Sequence, residues 1–291
     1  MDDNDTNDPC SYLTGDSMEY PKFSVLMSLY IKEKAEYFDE CMKSLLNQTV
    51  LPSEIVIIFD GPISPDMYFK VDDYCKANPG LIKLIRNKEN KGLGLALADG
   101  IPECTYELIA RMDTDDIARE DRFEKQLQEF MKDPELDICG SNISEFDECP
   151  DNIIAKRSVP VSDSEIKRYQ RRRDAFNHMT VMYKKTAVLS AGNYQDCPLM
   201  EDSLLWARMI MNGVKCKNIP DTLVYARIGK DMFERRGGFN YFLKYCRGRK
   251  AIKDTGFIST GDFLLTIMVQ LIICLLPNRI RGFVFKKLLH R

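Results

Sequence analysis

The stretch Tyr106-Glu107-Leu108-Ile109-Ala110-Arg111-Met112-Asp113-Thr114-Asp115-Asp116 reads as an apolar strand that delivers three carboxylates within four residues. Like charges this close repel, so the pattern is costly unless a cation sits between them. Hard divalent cations such as Mg²⁺ or Mn²⁺ favour carboxylate oxygens and also bind phosphate. The pattern therefore points to a metal site for a diphosphate, at the C-terminal end of a sheet strand. The plainer alternative is a solvated acidic turn, because Asp is common in turns. The surrounding sequence decides between them.

Working outward, Phe23–Leu29 and Glu54–Phe59 are continuous apolar runs, the second stopped by Asp60-Gly61-Pro62. Leu81–Ile85 and Leu136–Gly140 are two more strand candidates. Between them lie segments of helical spacing. Tyr37–Asn47 places Phe38, Cys41, Met42, Leu45 and Leu46 on one side, and 66–77, Gly92–Ile101 and Arg122–Met131 follow. Buried strands alternating with helices predict an α/β fold, a Rossmann-like and mainly parallel sheet flanked by helices. In such sheets ligands bind beyond the carboxyl ends of the strands. Asp60, Asp113 and the run Ser28-Leu29-Tyr30 all fall at such ends.

After about residue 145 the alternation weakens. Arg168–Arg173 is basic, and reads either as a solvated helix end or as a surface facing phosphate or acceptor. Asn177-His178-Met179-Thr180 leads into the apolar run Val181–Tyr183. Glu201-Asp202 opens a helical stretch that holds the single tryptophan, Trp206. Carboxylates at a helix start are also favoured by the helix dipole alone.

The chain has 291 residues, 44% hydrophobic and 29% charged, which suits a folded protein with a large core. Its ten cysteines form no Cys-x-x-Cys pair, and with two histidines they argue against a zinc site. Several sit in apolar runs and read as reduced thiols of a cytosolic protein. No signal peptide is visible at the N-terminus. Residues 227–291 hold 14 Lys/Arg against 4 Asp/Glu, whereas residues 1–226 hold 27 against 40. A basic C-terminal quarter implies an anionic partner.

Taken in order, Phe23–Tyr30, Glu54–Gly61, Asn90–Gly100, Met112–Asp116 and Glu201–Arg208 resemble the family-2 glycosyltransferases of GT-A fold, over about residues 22–230. The likeness is greatest to bacterial enzymes of the amylovoran-biosynthesis type that extend lipid-linked saccharides. The resemblance implies an inverting, metal-dependent transferase moving one sugar from a nucleotide diphosphate, UDP favoured, to a saccharide acceptor on a polyprenyl diphosphate. It assigns Ser28, Tyr30, Asp60, Asn90, Lys91, Gly92 and Asp113 to the nucleotide sugar. Asp115 becomes the ligand of Mn²⁺ or Mg²⁺, and Asp202 the catalytic base with Glu201 as the alternative. Asp-Gly-Pro stands at 60–62 where many relatives have Asp-Asp-Gly-Ser, which leaves base selectivity open. The Gln-x-x-Arg-Trp motif of processive synthases is absent, which favours transfer of one sugar per encounter. His178 fits an acceptor or metal contact or a purely local structural role. Arg227, Arg235 and Arg236 fit phosphate neutralisation or surface solubility.

The expected organisation is an acidic tail over 1–20 and a catalytic unit over 21–230. That unit has a nucleotide part to about 145 and an acceptor part beyond it. A helical extension over 231–291 completes the chain. Phe263–Leu276 is almost wholly apolar, but fourteen helical residues rise about 21 Å, short of the ~30 Å hydrocarbon core. Asn278–Arg291 mixes Arg and Lys with Ile, Phe, Val and Leu. Residues 263–291 are therefore expected to lie on an anionic membrane surface, at the cytoplasmic face, rather than to span it. The other reading is a terminal helix buried against the catalytic unit. Two further functions fit parts of the pattern: a sugar-nucleotide nucleotidyltransferase and a non-catalytic membrane scaffold. The first lacks its Gly-rich phosphate loop at Ser28–Lys34. The complete set Asp113, Asp115 and Asp202 argues against the second. Nucleic acid is not an expected partner, because the strand ends are acidic.

Overall fold

The structure is a computed structural model and describes residues 19–229 and 237–276. Most of the acidic tail, Arg235, Arg236 and the segment 278–291 lie outside the described residues. The first half alternates β1 (Phe23–Leu29), α1 (Ala35–Leu46), β2 (Glu54–Phe59), α2 (Pro65–Ala77), β3 (Ile82–Arg86), α3 (Leu93–Glu103), β4 (Leu108–Arg111), β5 (Ile117–Ala118) and α4 (Arg122–Lys132). Then come β6 (Leu136–Phe146), β7 (Ile153–Arg157), α5 (Asp163–Gln170), a 3₁₀ turn at His178–Thr180, β8 (Met182–Lys184), α6 (Lys185–Ser190), α7 (Glu201–Met211) and β9 (Lys215–Arg227). Two helices, α8 (Phe239–Asp254) and α9 (Thr260–Leu275), follow.

The described strands form one sheet in the order β3-β2-β1-β4-β8-β6-β9-β5, with β7 on β6. β1 to β4 are mutually parallel, as the continuous apolar runs require. The second half is mixed: β8 is antiparallel to both β4 and β6, β9 is parallel to β6, β5 is antiparallel to β9 and β7 is antiparallel to β6. The link from β6 to β7 is too short for the dozen-residue crossover that a parallel return needs. β6 also runs past Gly140, where its sequence reads as a stop. Asn142 makes this possible by filling the ladder's irregular register, its Nδ2 donating to Pro220 O at 2.7 Å and its Oδ1 accepting from Val159 N at 2.9 Å.

Alternate residues of β1 feed two cores. Val25, Met27 and Leu29 join α1, α2 and α4, whereas Leu26 joins α3, α6 and α7. The consequence for function is at one edge. The carboxyl ends of β1, β2, β4, β6 and β9 and the start of β8 all open on the same side. Tyr30, Asp60, Asp113, Arg227 and His178 therefore share a rim. The nine described cysteines other than Cys10 are all free thiols.

Candidate active site

The rim is built from its backbone outward. Asp60, at the end of β2, is 2% exposed. Its Oδ1 accepts from Lys91 N at 2.7 Å and its Oδ2 from Gly92 N at 2.9 Å, while Asn90 Nδ2 donates to Asp60 O at 3.2 Å. A carboxylate suits this place because the first N–H groups of a helix lack internal partners and attract negative charge. Gly61 has φ +82°, and a side chain there would strike Asn90 N at 2.7 Å. Asp60 and Gly61 thus clamp the 90–92 loop onto the sheet edge. Lys91 Nζ is held by Asp99 Oδ2 at 2.8 Å. Ser28 lies on the face that α3 and α7 cover, partly exposed at the end of β1, and Tyr30 O receives Glu33 N at 3.1 Å.

The acidic turn is organised around a buried arginine. Arg111, 1% exposed, directs NH1 at Asp113, and its Nε has no hydrogen-bond partner. Arg122 NH2 donates to Arg111 O at 2.7 Å, and Cys41 Sγ donates to Asp113 O at 3.3 Å. Burial and the Asp113 charge push Asp115 up to about 6. Asp116 is raised well above its usual range by burial and by Asp115 and Asp113, and its Oδ2 is buried without a partner. Glu33, in the turn after β1, faces the same group; burial, Asp115 and Asp113 lift it to about 7. Four carboxyl groups therefore share one region, faced by the guanidinium groups of Arg111 and Arg227.

That donor set fits a hard divalent cation. Among the described residues no three His, Cys, Asp or Glu side chains converge into a closed cage.

Arg227 ends β9 and braces this turn. Its backbone N donates to Asp116 Oδ1 at 2.8 Å and its Nε to Asp115 O at 3.1 Å. The guanidinium lies between the rings of Tyr37 and Phe146, 4.0 and 4.5 Å from their centroids, and pairs with Glu40. Its donors are thus engaged within the fold. The geometry makes Arg227 a positioning residue for the Asp115 turn rather than an open phosphate ligand.

Opposite the turn, α7 begins with Glu201 and Asp202. A side chain at Gly94 of α3 would meet Glu201 Cβ at 2.8 Å, so the two helices touch there. Glu201 is raised chiefly by burial, and it senses both Arg111 and Asp113. It lines a pocket of about 200 Å³ with Lys91, Gly92, Gln195 and Leu199. Asp202 is raised well above the usual range by burial, Asp174 and Glu201. Its Oδ1 caps Ser203 N at 2.7 Å, and Ser203 Oγ donates to Asp174. His178 Nε2 lies 2.8 Å from Tyr194 Oη, and its ring packs edge-on to Trp206 at 6.0 Å. Burial and Arg111 hold the imidazole well below 6.5. It is therefore neutral, with one nitrogen committed to Tyr194.

Sequence reading missed Glu33, Arg111, Asp174 and Tyr194 as site residues, and took Asp116 only as the third carboxylate of the acidic run. The charge of Arg111 beside the carboxylate cluster was a signal in principle, whereas Glu33 is brought there only by the fold. Asp174 and Tyr194 lie in stretches of weak periodicity and carried none.

A parallel half-sheet with a carboxylate-rich carboxyl edge, faced by a second acidic helix start, defines a nucleotide-sugar enzyme of the GT-A architecture. Residues 24–196 match glycosyl transferase family 2, more than half of the chain, and the protein belongs to that family of inverting nucleotide-sugar transferases. It is 38% identical over 269 residues to the amylovoran biosynthesis glycosyltransferase AmsE of Erwinia amylovora, covering 91% of this chain and 98% of that protein. It is 34% identical over 275 residues to the UDP-Gal:alpha-D-GlcNAc-diphosphoundecaprenol beta-1,3-galactosyltransferase of Escherichia coli, covering 94% and 99%. In fold it is similar to the mannosyltransferase PcManGT from Pyrobaculum calidifontis, solved with GDP-Man and Mn²⁺. The TM-score is 0.61 at 15% identity, covering 91% of this chain and 72% of that one. Family membership sets aside the nucleotidyltransferase and scaffold readings.

Proposed function

We propose that this glycosyltransferase moves one sugar from a UDP-sugar to a saccharide carried on a polyprenyl diphosphate, at the cytoplasmic face of a membrane. The name of the Escherichia relative supports the acceptor class. The observation that carries the site assignment is the approach of Glu201 to the acidic turn. It packs on Gly94 beside the Asp60-clamped loop and lies in the field of Asp113 and Arg111. Glu201 thus lies in one pocket with the 90–92 loop, which supports a place for it beside the donor.

In this reading Ser28, Tyr30, Asp60 and the 90–92 loop shape the nucleotide pocket, and Asp113 orients the donor. A bound Mn²⁺ or Mg²⁺ at Asp115 supplies neutralisation of the departing diphosphate. Asp202 accepts the proton of the acceptor hydroxyl. The hydroxyl oxygen forms its bond to the anomeric carbon as the carbon–phosphate oxygen bond breaks, and the diphosphate leaves with the electron pair. Attack from the opposite face inverts the centre, so no covalent enzyme intermediate is needed. Glu201 is the second reading, favoured by its nearness to Asp113.

The test is transfer to a synthetic lipid-diphosphate monosaccharide with a panel of UDP-sugars. Asp202→Asn should lower kcat by about 10²–10⁴-fold with donor affinity retained. If Glu201→Gln abolishes transfer while Asp202→Asn does not, the base is Glu201. No transfer from any UDP-sugar of the panel by the unaltered protein removes the proposed pairing of donor and acceptor.

A further inference from the structure

Helix α9 is patterned inside out. Its buried positions Asp262, Thr266 and Gln270 recur at helical spacing and are polar. Its apolar residues point outward, with Leu264 54%, Met268 63%, Ile272 59% and Leu275 74% exposed. A helix on a protein in water carries the opposite arrangement. The orientation is fixed by the polar side. Arg172 Nε donates to Asp262 Oδ1 at 2.6 Å, Ser259 Oγ donates to Asp262 Oδ2 at 2.8 Å, and Arg249 Nε donates to Thr266 Oγ1 at 3.1 Å. Rotating the helix to hide its leucines would break the bonds from Arg172 and Arg249, while the Ser259 bond belongs to the helix's own cap.

The surface at the N-terminal end of α9 is basic. Arg168 and Arg171 are exposed and, with Arg172, Ser259, Gly261 and Asp262, line an open cavity of about 340 Å³. Arg249 NH2 donates to Arg171 O at 2.6 Å and so ties this arginine cluster to the α8–α9 pair. Lys244 and Arg247 on α8 are exposed as well.

We propose that this face docks on an anionic lipid surface, with the outer stripe of α9 in the acyl boundary and Arg168 and Arg171 taking headgroup phosphates. Sixteen helical residues rise about 24 Å, too short to span, so α9 lies in the interface. Charge complementarity selects anionic lipid over a second copy of the chain, which would bring the same arginines and lysines face to face. The proposal supplies residues for the membrane contact of the function above and rests on that reading only for its purpose. Met200, Leu204 and Ala207 pack against Ile252, Phe257, Ile258 and Phe263, so the docked face is joined to the start of catalytic helix α7.

The experiment is co-sedimentation of the full-length protein with vesicles of phosphatidylcholine alone or with phosphatidylglycerol, at low and high salt. The same samples are assayed for donor hydrolysis in solution and sized by light scattering. Binding is expected only to the phosphatidylglycerol vesicles. Arg168→Gln with Arg171→Gln should weaken it about 30-fold and flatten its salt dependence. Leu264→Asn with Met268→Asn and Ile272→Asn should weaken it about 100-fold. Both variants should keep wild-type hydrolysis, which also shows that they fold. Equal binding to both vesicle types, or variants that bind like wild type, overturns the proposal. So does a dimer that the α9 variant splits into monomers. Loss of hydrolysis in the unaltered protein, with lipid binding intact, would strike the enzymatic reading and leave the docking face standing.

Discussion

Replacing Arg227 by methionine removes a brace without touching any group proposed to contact substrate. The loss can be worked from its contacts. The pair with Glu40, whose side chain is 47% exposed, contributes at most about 1 kcal/mol. The bond to Asp115 O at 3.1 Å adds about 1.5 kcal/mol. The two ring faces at 4.0 and 4.5 Å add about 1 kcal/mol each. Methionine restores part of the packing, so the net loss is about 3 kcal/mol, or about 6 °C in Tm for a chain of this size. The bond from Arg227 N to Asp116 Oδ1 is a backbone bond and survives the change. The damage is thus confined to the Asp115 side of the turn. Supporting contacts of this kind tune metal affinity by about 10–100-fold, and a loss of about tenfold for Mn²⁺ is expected. Arg227→Lys keeps the charge but not the planar fork between two rings, and should recover less than half of the lost stability. Calorimetry with Mn²⁺ titration reads both effects. A methionine variant with wild-type Tm and wild-type Mn²⁺ response would refute the bracing role.

Three further outcomes follow from single contacts. Asp60→Asn leaves one oxygen for two backbone donors and turns an amide group toward the other. It should cost about 2 kcal/mol and about 4 °C in Tm, measured by thermal melting, with nucleotide affinity reduced in parallel. Gly94→Ala forces α3 and the start of α7 apart. It should lower kcat by about tenfold, and an unchanged kcat would show that this contact does not set the geometry. The folded state holds His178 neutral below its unfolded value of 6.5. The contribution is therefore complete above that pH and lost as pH falls beneath it. The Tm advantage of wild type over His178→Gln should shrink from pH 7.5 to pH 5; a constant difference would place the shift elsewhere.

The parallel half was legible because β1 and β2 are continuous apolar runs and the segments between the strands have helical spacing, although β3 carries Lys83 within it. Phe23–Leu29 and Glu54–Phe59 agree to the residue. The antiparallel half was not legible. β8 is three residues long, and β6 is held through its irregular stretch by Asn142, whose bonds reach residues seventeen and seventy-eight positions away. In the site, carboxylates adjacent in sequence were visible as a cluster. The groups that tune them are long-range neighbours: Glu33 reaches Asp115 only through the fold, and Arg227 reaches it from 112 residues away. Asp60 shows a further limit. Its position was legible, but its two bonds to the 90–92 loop are a structural task that a motif does not reveal. The apolar run at 263–276 was readable as membrane-seeking. That its polar residues would face inward was not, because it depends on Arg172 and Arg249.

The central claim is that the acidic rim holds a divalent cation for the donor's diphosphate. The most direct measurement is the Tm with UDP in the presence of Mn²⁺ or of EDTA, in wild type and in Asp115→Asn. At a hundredfold excess over Kd, UDP with Mn²⁺ should add about 2.7 kcal/mol, roughly 5 °C. Little shift is expected in EDTA, and little in Asp115→Asn under either condition. Equal stabilisation by UDP with and without the metal, unaffected by Asp115→Asn, would contradict the claim.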